Sequence, residues 1–281
     1  MKRLILITCL LLSAALTINA QQTEFPKLTG LYLGQKPPGI IPEVFAPGII
    51  STKEDESAFE INRAGDEMIF IRKSKIMLVT KNNDGTWNKP EVALFSGKQI
   101  DDEPFFSPDG NKIYFMSRRP TKGSKFGSNL WVVEKQDGKW SEPKMVELPV
   151  LSKSLHAPTI SESNSIYDDG ISIIQFKDGK YLNQKNITEL SGMYPFVAPD
   201  ESYVIYSAGY SGSTGADLFI SFKNKNGIWS EGISLGKEVN SPKHEGNSFL
   251  TTDGKYLFFS RQFNIYWVSA NIIEKLRQQA Y

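Results

Sequence analysis

Cysteine is nearly absent from this chain: of 281 residues only Cys9 carries a thiol. It lies in an N-terminal stretch where Lys2 and Arg3 precede an apolar run from Leu4 to Leu16, and where Ile18-Asn19-Ala20 ends in a small residue. That order is the layout of a secretory signal, so residues 1–20 are expected to be removed near Ala20. Thr8 and the short apolar run ahead of Cys9 argue against a lipid anchor on that thiol. The mature chain would then have no disulfide, no thiolate metal site and no cysteine nucleophile, and its stability has to come from packing.

Charge of one sign is missing as well. Without Lys2 and Arg3 the 32 basic residues become 30, against 31 acidic ones, and no block of like charge is present to attract nucleic acid or an anionic membrane. No second apolar stretch approaches the roughly 20 residues needed to span a bilayer, so no transmembrane segment is expected in the mature chain. Histidine is scarce: His156 and His244 are the only two.

What the chain has is aromatic residues and repetition. With 40% hydrophobic and 12% aromatic residues it can build a sizeable core. The segment FSPDGNKIYF at 106–115 is matched by VAPDESYVIY at 197–206 and LTTDGKYLFF at 250–259, and more weakly by FEINRAGDEMIF at 59–70 and ISESNSIY at 160–167. Equivalent apolar positions Ile69, Tyr114, Tyr167, Ile205 and Phe258 are spaced by 45, 53, 38 and 53 residues. In phase with these run Asp84-Gly85-Thr86-Trp87, Asp137-Gly138-Lys139-Trp140, Asp178-Gly179-Lys180-Tyr181 and Asn226-Gly227-Ile228-Trp229. Asp-Gly and Asn-Gly supply the positive φ of tight hairpins, so each marks a strand reversal. One unit therefore reads as four antiparallel strands, and a radial array of such sheets is an all-β β-propeller.

The fifth unit lacks its fourth strand, because NIYWVS at 264–269 runs into ANIIEKLRQQA. Pro42-Glu43-Val44-Phe45-Ala46 matches Pro90-Glu91-Val92-Ala93-Leu94 of the first unit, so residues 41–50 are expected to supply the outer strand of the last blade and close the ring. This predicts five blades; six remain open if residues 28–50 and the C-terminal segment add more than one strand. The expected organisation is a signal at 1–20, an N-terminal extension at 21–40 and one propeller domain at 41–281. Ile272, Ile273 and Leu276 are expected to pack the C-terminal segment onto it.

The repeated Ser-Pro-Asp-Gly, the Trp-Ser-Glu-Pro at 140–143 and the Ile-Tyr-Trp-Val at 265–268 resemble the TolB-like, WD40-like propeller repeats of secreted bacterial proteins. The likeness spans about residues 40–270. It implies a periplasmic or secreted propeller, and its relatives include protein-binding modules, peptidase gating domains and oligogalacturonate lyases, so the fold leaves the activity open.

Residues that recur in every blade are best explained by packing or turn geometry. On that ground Asp109, Asp200 and Asp253 are turn residues, Trp87, Trp140 and Trp229 fill space between sheets, and Ser117-Arg118 and Ser260-Arg261 suggest a repeated inter-blade contact. The informative positions precede the innermost strand, where the copies diverge: Asp55-Glu56, Asp102-Glu103, Leu155-His156, Met193-Tyr194 and His244-Glu245. In a closed ring they converge on one mouth, giving the candidate rim Glu56, Asp102, Glu103, His156, Tyr194, His244 and Glu245. Three readings stand open. The rim caps the channel with solvated polar groups; or it recognises an envelope protein or glycan, overhung by the loops at 118–127 and 208–215; or His156 and His244 with a neighbouring Glu hold a divalent metal, as in a metal-assisted lyase. No catalytic residue and no cofactor is assigned, and a non-enzymatic binding or scaffolding role is preferred.

Overall fold

In the computed structural model, which describes residues 25–122, 127–149, 154–187, 189–209 and 215–280, the Ser-Pro-Asp-Gly segment is a reversal held by its own side chains. Ser107 Oγ donates to Asp109 Oδ1 at 2.5 Å, the same oxygen accepts Asn111 N–H at 3.1 Å, and Gly110 takes φ +74°. Asp253 receives Thr251 Oγ1 and Lys255 N–H in the same way, and Asp200 receives Ser202 N–H. A short carboxylate that replaces absent backbone partners favours the turn, which is why the motif recurs.

Five antiparallel blades follow from these turns, four of them four-stranded and the second with five strands. Blade one is Glu56–Ile61, Glu67–Arg72, Lys75–Thr80 and Glu91–Val92. Blade two is Asp101–Phe106, Lys112–Ser117 and Asn129–Gln136, whose last strand pairs both Lys139–Trp140 and Lys144–Met145. Blade three is short: Thr159–Ile160, Ile166–Asp168, Ser172–Ile174 and Lys185–Asn186. Blade four is Met193–Val197, Tyr203–Ala208, Asp217–Phe222 and Ile233–Ser234. Blade five joins Glu245–Leu250, Tyr256–Arg261 and Asn264–Ser269 to Glu43–Val44 from the other end of the chain.

That closure is the expected one: Glu43 lies opposite Trp267 and Val44 opposite Tyr266, and Phe45 N–H continues the ladder to Ile265 O at 2.8 Å. Behind it Phe45 is fully buried, its ring 5.0 Å from Phe59, 5.1 Å from Phe258 and 5.1 Å from Trp267. Residues ahead of the closing strand also pack on the ring. Leu28–Thr29 pairs Thr86–Trp87, Gly30 O accepts Trp87 Nε1–H at 2.7 Å, and the Tyr32 ring packs edge-on against Tyr256 and tilted against Trp267. At the other end a helix, Asn271–Arg277, buries Ile273 and Leu276, with Ile272 packed alongside. Among the described residues no helix is long and apolar enough to cross a membrane.

One residue near the start of each innermost strand takes a positive φ: Ala58, Glu103, Ala157, Tyr194 and Asn247. In four blades this sits within a register shift of the first strand pair. Such bulges bend the strand and turn its start, so the five positions converge around the central channel.

Candidate functional site

A cavity of about 460 Å³ opens at the mouth where the innermost strands begin. Asp102, Glu103, His156, Tyr194 and His244 all line it, joined by Lys243, Asn247, Gln262 and Phe263. Both histidines thus face one space, with the Tyr194 ring between them, 5.4 Å from His156 and 5.9 Å from His244.

Two residues of the expected rim direct their carboxylates away from the cavity. The carboxylates of Glu56 and Glu245 are 0% exposed and are spent on arginines, Glu56 on Arg72 at 2.9 Å and Glu245 on Arg261 at 2.6 Å. Glu56 still borders the cavity, but its charged oxygens point into the protein. The reason is register. Counted from the positive-φ residue, Glu56 and Glu245 are equivalent to Asp101 rather than to Asp102 or Glu103.

These three acids form a repeated clamp. Each is buried, each accepts a hydroxyl from the preceding loop (Thr52, Ser96 or Ser241), and each binds an arginine from the second strand or just beyond it. The other guanidinium nitrogen reaches a backbone carbonyl at the end of the preceding segment: Arg72 to Ile49, Arg119 to Phe95 and Arg261 to Val239. The repeated contact expected at Ser117-Arg118 is therefore made by Arg119, while Arg118 borders a side cavity of about 210 Å³ beside Asp102 and His156.

Blades three and four have no such arginine, and blade three carries Asp168-Asp169 at the end of its second strand. Asp168 Oδ1 accepts His156 N–H at 2.7 Å, which fixes the start of the innermost strand. Asp169 Oδ2 meets His156 Nδ1 at 2.9 Å and its Oδ1 accepts Tyr194 N–H at 2.7 Å. His156 Nε2 lies 3.2 Å from Glu103 Oε1, and Glu103 Oε2 accepts Ala157 N–H. A chain of contacts thus runs from blade two through blade three to blade four.

The electrostatics follow from this wiring. The bond to Asp169 raises the His156 pKa, and the nearby Glu103 and Asp102 charges act in the same sense against partial burial, so the imidazolium is favoured. Burial pushes Glu103 upward even against the stabilising His156 charge, and it raises Asp102 too. His244 moves the other way, because burial disfavours its cation, and its Nδ1 accepts Ala216 N–H at 3.4 Å. Gly246 lets the two blades close here: a Cβ at that position would lie 3.2 Å from Tyr194 and 3.3 Å from His244 Nε2.

Both ring nitrogens of His156 are committed to carboxylates, and among the described residues no three His, Cys, Asp or Glu side chains converge on one point. Residues 123–126 and 210–214 of the two loops expected to overhang the mouth, and the expected signal at 1–20, lie outside the described residues.

Asp169 is a site residue that repetition does not single out: in register it matches Ile71, Met116, Ser207 and Ser260 of the other blades.

No protein-family model matches the chain, and no curated protein does. Solved structures similar to it include a protein assigned as TolB from Agrobacterium tumefaciens, at 15% identity and TM-score 0.49, covering 78% of this chain and 72% of that one. An exo-1,5-α-L-arabinanase from a bovine ruminal metagenomic library is 14% identical at TM-score 0.48, covering 77% and 92% of the two chains. The pyrroloquinoline-quinone domain of a pyranose dehydrogenase from Coprinopsis cinerea is 8% identical at TM-score 0.46, covering 83% and 98%. At these identities each is a likeness of fold, and their activities differ from one another. The chain is a five-bladed β-propeller, and TolB-like propeller proteins are among its structural neighbours.

Proposed function

We propose that this protein is an exported binding or scaffolding module of the periplasm or cell envelope that recognises a protein or glycan at the histidine-bearing mouth. Residues 41–281 act as one propeller unit, braced by the described part of the 21–40 extension. The reading rests on one observation: a cavity of about 460 Å³ in which Tyr194, Phe263 and two imidazoles alternate with Asp102, Lys243, Asn247 and Gln262. Aromatic faces beside convergent polar groups are what sugars and peptide segments bind.

An enzyme of the metal-assisted lyase type is the rival, and the commitment of both His156 nitrogens counts against it. Mature protein immobilised beside a glycan array and exposed to envelope extract should capture a defined protein or glycan. Tyr194→Ala should reduce that capture at least tenfold. Capture that is unchanged in Tyr194→Ala, or stoichiometric divalent metal with turnover of an acidic polysaccharide, would overturn the reading.

A further inference from the structure

Below the mouth the channel narrows to a waist of about 30 Å³, lined by all five positive-φ residues together with Glu60, Pro104, Pro158, Pro195 and Ser248. Glu103, Tyr194 and Asn247 border both the waist and the mouth cavity, which places the two spaces next to each other. Beyond the waist Glu60, Phe105 and Thr159 also border a cavity of about 430 Å³ at the opposite mouth. Glu60 therefore stands in the channel between the two faces.

We propose that this waist seats the primary ammonium group of a lysine side chain presented at the mouth by a peptide, with Glu60 and Ser248 as its partners. The proposal deepens the binding reading of the mouth and rests on it.

Three observations carry it. No lysine, arginine or histidine lines the waist, and of its two carboxyl groups Glu103 already meets His156 at 3.2 Å, so Glu60 sets its preference for a cation. Ser248 is 7% exposed, and its hydroxyl has no hydrogen-bond partner, although buried polar groups are nearly always paired. Glu60 uses Oε2 to accept Phe106 N–H at 2.7 Å, which leaves Oε1 for a guest. Desolvation pushes the Glu60 carboxyl up to about 8, the response of an acid that lacks a counter-charge.

Size selects the stem. A space of about 30 Å³ admits a group the size of one or two waters, which fits an ammonium head. A pyranose amine is flush with its ring and cannot enter, whereas lysine carries its charge on four methylenes.

The test uses the mature protein and two probes, Nα-acetyl-lysine N-methylamide and the same compound acetylated on Nε, with binding followed by NMR titration. The charged probe should bind at least tenfold more tightly than the acetylated one. Glu60→Gln, which keeps an acceptor for Phe106 N–H, and Ser248→Ala should each remove that preference. Equal binding of the two probes, retention of the preference in both variants, or a stronger response to glucosamine would overturn the proposal. A mouth ligand that Tyr194→Ala abolishes and Glu60→Gln leaves untouched would sink this inference alone and leave the binding function standing.

Discussion

Glu60, Glu103 and His156 all hold protons more tightly in the folded chain than their ordinary values allow, and this fixes the sign of the pH dependence. For Glu60 the folded value of about 8 lies above the ordinary 4.5, so the native state binds the extra proton across that interval. Stability therefore falls as pH rises through it. His156 acts in the same direction: its contribution is complete below its ordinary value of 6.5 and disappears as pH rises through the raised one. The urea midpoint should accordingly decline between about pH 5 and about pH 9, and Glu60→Gln should make that slope shallower without abolishing it. A flat wild-type profile would contradict the burial of Glu60. The clamp makes a second prediction. Arg261→Met leaves the fully buried Glu245 carboxylate without its cation, which costs on the order of 3–5 kcal/mol in a buried pair. Glu245→Gln combined with Arg261→Met should lose less than Arg261→Met alone, as read by chemical denaturation.

At the scale of the element, the closing strand has only two paired residues, Glu43–Val44, so its grip comes from Phe45 rather than from the ladder. Phe45→Ala would empty a fully buried ring site shared by blades one and five and should cost about 3–5 kcal/mol. Removal of residues up to 50 should do more, exposing the Asn264–Ser269 edge and producing self-association visible by light scattering. A truncated chain that stays monomeric with an unchanged midpoint would show that the ring closes by other means. The closing strand was legible because its sequence copies the fourth strand of blade one, and the turns were legible because their chemistry is local. The rim was legible only to within two residues. The φ reversals at Ala58 and Ala157 fall on residues with no turn preference, so nothing local announces a bulge. Without it, Glu56 and Glu245 read as mouth residues instead of partners of Arg72 and Arg261. Asp169 escaped notice because it follows the second strand of blade three, far in sequence from the loops that carry His156 and Tyr194.

For the molecule as a whole, stability and function are unevenly shared among the blades. Blades one, two, four and five each hold at least two strands of six residues or more, whereas the longest strands of blade three, Ile166–Asp168 and Ser172–Ile174, have three. Neither blade three nor blade four has the acid–arginine clamp, and in blade three Asp168 ties the second strand to His156 and to Gln184 and Ser172 on the outer side. Yet this blade supplies His156 and Asp169, the middle of the chain of contacts that joins Glu103 to Tyr194. A sheet with few ladder bonds opens locally at lower free energy than its neighbours, and binding elements are drawn from such regions. Backbone amides of 159–174 should therefore exchange with solvent faster than those of 203–208 and 256–261 in the free protein. Because Glu103 and Tyr194 border the mouth on either side of His156, a ligand seated there would hold blades two, three and four together. Exchange in blade three should then slow on binding by more than exchange in blade five does, as read by hydrogen–deuterium exchange and mass spectrometry. Uniform slowing across all five blades would mean that the ligand acts on global stability, and that the mouth network does not report its presence.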